Sequence, residues 1–509
     1  MARRGVPALG SAAMEIARQD RPAAWLLWLL LALTAVRLLV GGAMGLTDDE
    51  AYYRLWSLAP DWGYLDHPPL VAWLMWLGRA LAGDSAFGLR LLGPLLALGG
   101  SLALWRTARL LGDARLADRA VLLFQACPLI GIGTVILTPD TGAVLAWVLA
   151  LWSLAEFERS RDPRWLLLTG LAAGLGLLSK YTVLALGAGI LLWLLRHRDL
   201  RPTLRAWPLW AGGLLALLLF LPVVLWNREH DWISFAKQVG KAADWSGFGP
   251  RFTAELIGVT VISLGVLPAP LAAWGFWRSL RGATPRQTLP AIVALPFLLF
   301  LLQHSLHELV LGQWSAPLYP AFAILAAQGL ALAEARAGLW RRWAWATLRL
   351  GVPACLASVA LLYAYVAVPG VPVLARKETT TQTRGWPALA AEVEALRLAQ
   401  GAAWIATHGY ATTGQLAFRL PGVPVLQLDE RERYLNLPAP PAELWRQPAL
   451  FVEIERLATL PPLRRRFRRV EFLGTLERRE GDQVLRVYAV YLLAEPKGDP
   501  LDNPKRDLP

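Results

Sequence analysis

An acidic stretch near the start of the chain contains residues suited to proton-transfer chemistry. Asp48, Asp49 and Glu50 are consecutive, and Tyr52 and Tyr53 follow them closely. A carboxylate within hydrogen-bonding reach of a hydroxyl or amine can act as its general base. Acidic residues also stabilise the first turn of a helix, so a capping role without chemistry is the alternative for this stretch.

A second acidic motif lies in residues 64–69, where Asp66 and His67 precede two prolines. Aromatic residues lie between the two acidic motifs, and an amphipathic, Trp-rich helix is predicted over residues 70–81, at a membrane interface. Carboxylates beside hydrocarbon are costly unless they face cations, a metal or a substrate. The two motifs together therefore favour a functional site over a solvated loop.

Two further charged residues stand between apolar runs. Asp140 ends a turn at residues 138–140 and could cap the helix that follows. Lys180 is a lone cation that could extend to the membrane surface without a ligand. It could equally hold a phosphate there, so spacing alone leaves the role of both residues open.

One group of histidines has the spacing of a metal-binding face. His304 and His307 with Glu308 would lie on one helical turn. Structural zinc takes four ligands, and the pair of histidines supplies two of them. We therefore favour the interpretation in which these residues bind no metal.

The composition indicates a membrane protein. Of the 509 residues, 55% are hydrophobic and 17% are charged, and the mean hydropathy is +0.40, which is too apolar for a soluble globular protein. The net charge of +13 comes from short clusters between apolar runs rather than from one basic patch, which excludes nucleic acid as the expected partner. Cys127 and Cys355 both lie in apolar runs, so the chain offers neither a disulfide framework nor a cysteine metal site.

A membrane-spanning helix needs roughly 20 apolar residues, and the chain contains about eleven candidate runs. The predicted spans are 23–44, 86–105, 119–137, 141–156, 165–178, 181–195, 207–226, 253–277, 288–303, 315–334 and 346–368. The first run is longer than the apolar region of a cleavable signal and has no small-residue cleavage site after it, so we expect it to be retained.

The arginines predict the orientation of these spans. With residues 1–22 in the cytoplasm and the spans alternating, every inside loop is rich in arginine, as the positive-inside rule requires. The first outer loop, 45–85, then faces outward together with Asp140 and Lys180. We expect a multi-pass protein of the bacterial inner membrane whose acidic loops are periplasmic.

The predicted membrane domain, 23–371, is followed by a predicted extracytoplasmic α/β domain at 372–495. Its predicted elements are a helix over 386–400 and strands over 402–406, 424–428, 449–454 and 484–493. The polar tail at 496–509 is predicted to be disordered.

These motifs resemble the bacterial membrane glycosyltransferases of the GT-C class, in the superfamily of protein O-mannosyltransferases and lipid A aminoarabinose transferases. The resemblance extends over residues 20–335 and rests on five features: the Asp-Glu pair after the first span, the Gly-Tyr-Leu-Asp-His-Pro-Pro loop, Pro139-Asp140, Ser179-Lys180 and the run 313–320. It implies an α-helical polytopic membrane protein of GT-C fold with a C-terminal α/β domain. It also implies inverting transfer of a sugar from a polyprenyl-phosphate donor to a lipid, glycan or protein acceptor at the membrane surface.

The resemblance also implies roles for individual residues. Asp49 matches the catalytic acid of the Asp-Glu motif, with Glu50 beside it, and Asp140 matches the acid of the second outer loop. Lys180 matches the basic residue near the donor phosphate.

Other matches depart from the family or are looser. Asp66 and His67 stand where the aminoarabinose transferases have Glu-Lys, which argues against aminoarabinose as the sugar. His230 falls in a loop where those transferases have a histidine linked to a metal, so His230 is a candidate ligand and a divalent metal a candidate cofactor. Tyr53 and Arg54 complete the predicted donor-binding set.

The residue types suit this chemistry independently of the family. A sugar phosphate carries its own leaving group, so the enzyme must deprotonate the acceptor and stabilise the departing phosphate. Asp49 suits the first task, and Lys180, with Arg54, His67 or a metal, suits the second. Inversion in one step needs no enzyme nucleophile, which agrees with the absence of a G-x-S-x-G motif.

Two other classes of protein are open alternatives. A transporter or flippase for lipid-linked saccharides would place charges along a path within the spans, whereas these spans carry almost none apart from Arg37. A non-enzymatic scaffold would bind a partner through its outer domain and would not need acids and a lysine from separate outer loops. We expect these polar groups to meet in one pocket at the outer face of the membrane.

Overall fold

A computed structural model describes residues 21–243, 248–368 and 379–498. Of the predicted tail, residues 499–509 lie outside the described residues, as do residues 1–20. The chain divides into two compact units: Met1–Leu38 with Leu92–Leu362, here called the membrane unit, and Leu39–Leu91 with Tyr363–Pro509, called the loop–sheet unit. The first outer loop thus shares a unit with the C-terminal sheet, and the predicted domain boundaries stay predictions.

The membrane unit is helical, and most of its helices are long and apolar. Its described helices are Ala24–Ala43, which continues into the other unit, and Leu92–Leu111, Ala114–Ala126, Pro128–Gly133, Pro139–Ser160, Trp165–Leu177, Leu184–Arg196, Trp207–Glu229, Ile233–Ala243, Pro250–Leu264, Pro268–Leu280, Pro285–His304, Tyr319–Glu334, Leu339–Ala346 and Val352–Ala367. By length and composition, seven helices in the described ranges could cross a membrane, or eight if one bent pair is a single span. The number of about eleven spans, which came from apolar length, stays a prediction.

Two of the predicted spans are not continuous helices. Within 253–277 the chain bends by 107° at Gly265, whose φ of +92° is one that glycine adopts readily. Within 119–137 a helix ends before Cys127, which has an extended backbone, as expected for a residue that precedes a proline such as Pro128. A glycine in one case and a proline in the other therefore divide apolar runs that hydropathy alone treats as single helices.

Most of the buried side chains described in the membrane unit are apolar. Trp147, Trp193 and Phe297 are among its largest fully buried side chains. Arg37, the charge that the sequence analysis named within the first span, is buried and donates a hydrogen bond of 2.7 Å to Oε1 of Gln125. A buried guanidinium needs such an acceptor, since an unpaired charge in an apolar interior is strongly unfavourable.

The loop–sheet unit contains a five-stranded sheet with the order β2-β1-β3-β5-β4. Its strands are β1 (Trp404–Thr407), β2 (Val425–Gln427), β3 (Ala449–Ile454), β4 (Phe467–Glu480) and β5 (Gln483–Pro496). β1 pairs in parallel with β2 and β3, while β5 runs antiparallel to both β3 and β4. The described helices of this unit are Asp48–Leu58, Leu70–Ala82, Ala86–Arg90, Trp386–Ala399, Tyr410–Arg419, Ala442–Trp445 and Leu460–Arg466.

Apolar side chains cover both faces of the central strands. Ile405 packs into one core with Trp386, whereas Trp404 packs into the other with Phe467. Because successive strand residues point to opposite faces, a strand covered on both sides is apolar at every position. That pattern explains why short apolar runs in the sequence predicted these strands.

Candidate active site

The helix Asp48–Leu58, here called the acidic helix, begins at a complete capping box. The backbone N–H of Glu50 donates to the Thr47 hydroxyl at 3.2 Å, and the Thr47 N–H donates to Oε2 of Glu50 at 3.0 Å. Asp48, Asp49 and Glu50 form the first turn, where the helix dipole favours negative charge. The sequence therefore fixes the position of the acidic residues through the cap.

Glu50 is buried in an ion pair, and its predicted catalytic role stays a prediction. Its side chain is fully buried and accepts hydrogen bonds from Nε and Nη2 of Arg90 at 2.7 and 2.5 Å. Arg90 also donates to the carbonyl oxygens of Gly41 and Met44, both at 2.8 Å. This ion pair fastens the acidic helix to the preceding backbone.

Asp49, by contrast, is exposed on the same turn. The Tyr410 hydroxyl donates a hydrogen bond of 3.2 Å to its Oδ1. Nearby protein atoms remove part of the hydration of the carboxylate, which raises the pKa of Asp49 above its ordinary value. The Tyr410 hydrogen bond and the charge of Arg433 lower this pKa, while Asp66 and Glu50 raise it. Asp49 is thus an accessible carboxylate surrounded by groups that tune its proton affinity.

Asp66 is held by two partners close to Asp49. The Tyr52 hydroxyl donates to its Oδ2 at 3.0 Å, and the Arg433 guanidinium forms an ion pair with the same oxygen. Nε of Arg433 donates to Glu430 at 2.8 Å. The carboxylate predicted to bind the donor is therefore neutralised by an arginine of the C-terminal region.

Arg54 forms an ion pair with Asp84, and its predicted role at the donor phosphate stays a prediction. Its Nε and Nη2 donate to the two carboxylate oxygens of Asp84 at 3.0 and 2.5 Å. Burial alone would raise the pKa of Asp84, but the hydrogen bonds and charges of Arg54 and Arg79 lower it below its ordinary value. The Arg54 guanidinium therefore stabilises the outer loop.

Tyr53 and His67 lie together beside these groups. The edge of one ring faces the other, with their centroids 6.0 Å apart, and Tyr53 is buried whereas His67 is partly exposed. Their predicted role in donor binding stays a prediction.

In the membrane unit, the structure brings Asp140 and Lys180 together. Nζ of Lys180 lies 2.6 Å from Oδ1 of Asp140, and the side chains are 12% and 16% exposed. Asp140 lies in the first turn of the helix Pro139–Ser160, and the Ser179 hydroxyl donates to the Pro139 carbonyl at 2.5 Å. Two residues that the sequence singled out separately thus form one ion pair.

The described residues contain no group of three or more His, Cys, Asp or Glu side chains placed to hold a metal. His230 stacks on Trp226 at a centroid distance of 4.2 Å, and its Nδ1 lies 2.8 Å from the Trp226 carbonyl oxygen. His304 is buried, with Nε2 3.4 Å from Glu308. The metal role of His230 stays a prediction.

Comparison with known proteins gives a family match and two curated relatives. Residues 66–226 match the family of dolichyl-phosphate-mannose-protein mannosyltransferases. The chain is 27% identical over 284 residues to the lipid A galacturonosyltransferase RgtD of Rhizobium johnstonii, covering 55% of this chain and 59% of RgtD. It is 29% identical over 278 residues to the lipopolysaccharide core galacturonosyltransferase RgtB of the same organism, covering 52% of this chain and 55% of RgtB. The chain thus spans less than two thirds of the length of either relative.

A solved structure resembles the chain over nearly its whole length. ArnT from Cupriavidus metallidurans bound to undecaprenyl phosphate superposes with a TM-score of 0.64 at 18% identity, covering 92% of this chain and 98% of ArnT. The chain has the GT-C fold. The predicted resemblance to GT-C glycosyltransferases is confirmed, and so is the helical membrane fold with a C-terminal α/β domain.

Two residues near Asp49 in this GT-C chain were missed by the sequence analysis. Tyr410 begins a helix that was not predicted, and Arg433 lies in a short 3-10 helix, Arg431–Tyr434. The charged run at residues 429–433 is the one local signal that could have indicated Arg433. Nothing local connects Tyr410 to Asp49, because they are 361 positions apart.

Proposed function

We propose that this chain is an inverting glycosyltransferase that moves a sugar from a polyprenyl-phosphate donor to an acceptor at the outer face of the inner membrane. The observation that carries the proposal is the exposed carboxylate of Asp49, fixed on the first turn of a capped helix in a chain with the GT-C fold. The acidic loops and the C-terminal domain would then be periplasmic.

Asp49 is the proposed general base. As the acceptor hydroxyl or amine attacks the anomeric carbon, the Asp49 carboxylate takes its proton. The bond between the anomeric carbon and the phosphate oxygen breaks, and its electron pair leaves with the polyprenyl phosphate. Attack from the face opposite the leaving group inverts the anomeric centre in one step.

Lys180 is the proposed partner of the departing phosphate. Its ammonium group is held by Asp140 at 2.6 Å, which keeps the cation ordered. A phosphate would compete with Asp140 for the same hydrogen bonds, and charge-assisted bonds to the leaving oxygen strengthen as negative charge develops there. Tyr53, Asp66 and His67 are proposed to contact the donor as well.

The two relatives suggest the class of acceptor and sugar. They are named for transfer of galacturonic acid to lipid A and to the lipopolysaccharide core, so we propose a lipopolysaccharide glycolipid as acceptor and a hexuronic acid as the first sugar to test. Transport and scaffolding are the alternatives, and neither requires an accessible base.

Mass spectrometry of envelope glycolipids tests this proposal in cells. Deletion of the gene should remove one sugar residue from lipid A or the core, and the parent gene should restore it. Asp49→Asn should not restore it, whereas the matched control Asp482→Asn, an exposed residue in the β4–β5 turn, should. An unchanged set of glycolipid masses after deletion would rule out this acceptor class.

A further inference from the structure

We propose that Tyr410 and Arg433 are positioning residues for Asp49, through which the C-terminal α/β domain sets the pH range in which the base works. The inference rests on the proposed role of Asp49. It gives the sheet domain a part in the reaction that is exerted through Asp49.

The helix that presents Tyr410 is held firmly against the acidic helix. A side-chain carbon at Gly414 would lie 2.7 Å from the backbone carbon of Ala51, so only glycine permits this approach. Nε2 of Gln415 donates to the Leu46 carbonyl at 2.9 Å. These contacts fix the position from which the Tyr410 hydroxyl reaches Asp49.

Arg433 is fixed by contacts on three sides. Its guanidinium carbon lies 4.9 Å from the centre of the Tyr410 ring and 5.5 Å from that of Tyr52. Its carbonyl oxygen accepts a hydrogen bond of 3.0 Å from Nε1 of Trp56, and its guanidinium pairs with Asp66. The arginine therefore compensates a carboxylate beside Asp49 and also packs on the tyrosine that contacts Asp49.

The groups that influence the pKa of Asp49 come from four elements, and some of the carboxylates among them already have hydrogen-bonding partners. The groups concerned are Asp48 and Glu50 on the acidic helix, Asp66 on the outer loop, Tyr410 on its helix and Arg433 on the 3-10 helix. Arg90 compensates Glu50, and Gln415 donates to Asp48 at 3.2 Å. Tyr410 and Arg433 are thus the two groups whose removal would most directly favour the protonated form of Asp49.

Removal of Tyr410 or Arg433 and removal of the Asp66 charge should shift the pKa of Asp49 in opposite directions. Loss of the Tyr410 hydroxyl removes a hydrogen bond to the ionised carboxylate, and loss of Arg433 removes a positive charge that stabilises it, so both changes raise the pKa of Asp49. Loss of the Asp66 charge lowers it and leaves Arg433 to act on Asp49. Because a protonated Asp49 cannot accept a proton, the acidic limb of the rate profile should move with this pKa.

The test measures protonation of Asp49 without requiring turnover. A carbodiimide reacts with protonated carboxyl groups, so its incorporation at Asp49 is followed against pH by peptide mass spectrometry on the full chain in detergent. Tyr410→Phe and Arg433→Met should raise the pH of half-labelling by about half a unit or more, given the strength of bonds to charged groups. Asp66→Asn should lower it.

Matched controls separate this effect from general disturbance of the domain. Tyr491→Phe removes a hydroxyl from β5, and Arg469→Met breaks an exposed ion pair with Glu471; both should label as the parent does. Arg433→Lys retains the positive charge, so its pH of half-labelling should lie much closer to that of the parent than that of Arg433→Met does.

Half-labelling at the parental pH in both Tyr410→Phe and Arg433→Met would overturn the inference. So would a shift of equal size in the two controls. Full transfer activity in Asp49→Asn would instead refute the proposed base, and it would leave the labelling result unaffected. The two failures are therefore distinguishable.

Discussion

Asp49 and Glu50 are adjacent carboxylates with opposite surroundings. Successive residues of an α-helix are rotated by about 100° around its axis, so the two side chains point in different directions. Glu50 points inward to Arg90 and is fully buried, whereas Asp49 is exposed beside Tyr410. The sequence shows two adjacent acids, and the helix phase explains why one is buried in an ion pair and the other is exposed.

Glu50→Gln should therefore impair folding more than chemistry. Removing one partner of a buried ion pair leaves the other charge uncompensated, at a cost of roughly 3 kcal/mol or more. Thermal unfolding in detergent should show a clearly lower midpoint for Glu50→Gln, and a midpoint near that of the parent for Asp49→Asn. The exposed ion pair between Arg469 and Glu471 provides the control, since Glu471→Gln should change the unfolding midpoint little. Equal midpoints for Glu50→Gln and the parent would contradict the structural role.

Lys180→Ala should weaken use of the donor more than use of the acceptor. The variant loses the cation proposed to stabilise the phosphate, so KM for the donor should rise and kcat should fall, while KM for the acceptor changes little. Lys180→Arg keeps the charge and should recover part of the activity. Steady-state rates, measured once with the donor concentration varied and once with the acceptor concentration varied, give the two KM values that test this prediction. Equal effects on both substrates would argue that Lys180 serves only to hold Asp140.

At the scale of elements, the cap of the acidic helix links stability to activity. Thr47→Ala removes the hydroxyl that accepts the Glu50 N–H, which costs about 1 kcal/mol and loosens the turn that contains Asp49. Activity should fall by more than the loss of folded protein explains. Thr284→Ala removes the equivalent cap from the helix Pro285–His304 and should lower stability alone. A similar loss of activity in both variants would contradict a specific role for the Thr47 cap.

Elements whose signals are local could be predicted, and those that depend on distant contacts could not. The buried strands β1 and β3 are apolar runs, so the sequence identifies them. β4 was missed because seven of its 14 residues are charged, as suits an edge strand whose free side must resist pairing with other chains. The helix Tyr410–Arg419 contains two threonines and a glycine, which favour helix weakly, and its packing on the acidic helix stabilises it.

At the scale of the whole molecule, the sequence established the membrane fold and its class. Long apolar runs and the motifs of the first outer loop are local, and both were sufficient for the GT-C resemblance. The helix breaks at Cys127 and Gly265 were missed because a hydropathy profile contains no information about backbone conformation. The contacts of Tyr410 and Arg433 were missed because they join segments more than 350 positions apart.

The proposed function depends on Asp49 acting as the base of sugar transfer. The most direct test measures initial rates with the purified full chain, undecaprenyl-phosphate-linked galacturonic acid and lipid A, for the parent, Asp49→Asn and Asp482→Asn. The proposed mechanism predicts that Asp49→Asn loses transfer by about 100-fold or more, with an unchanged unfolding midpoint, while Asp482→Asn retains the parental rate. Parental rates in Asp49→Asn would contradict it.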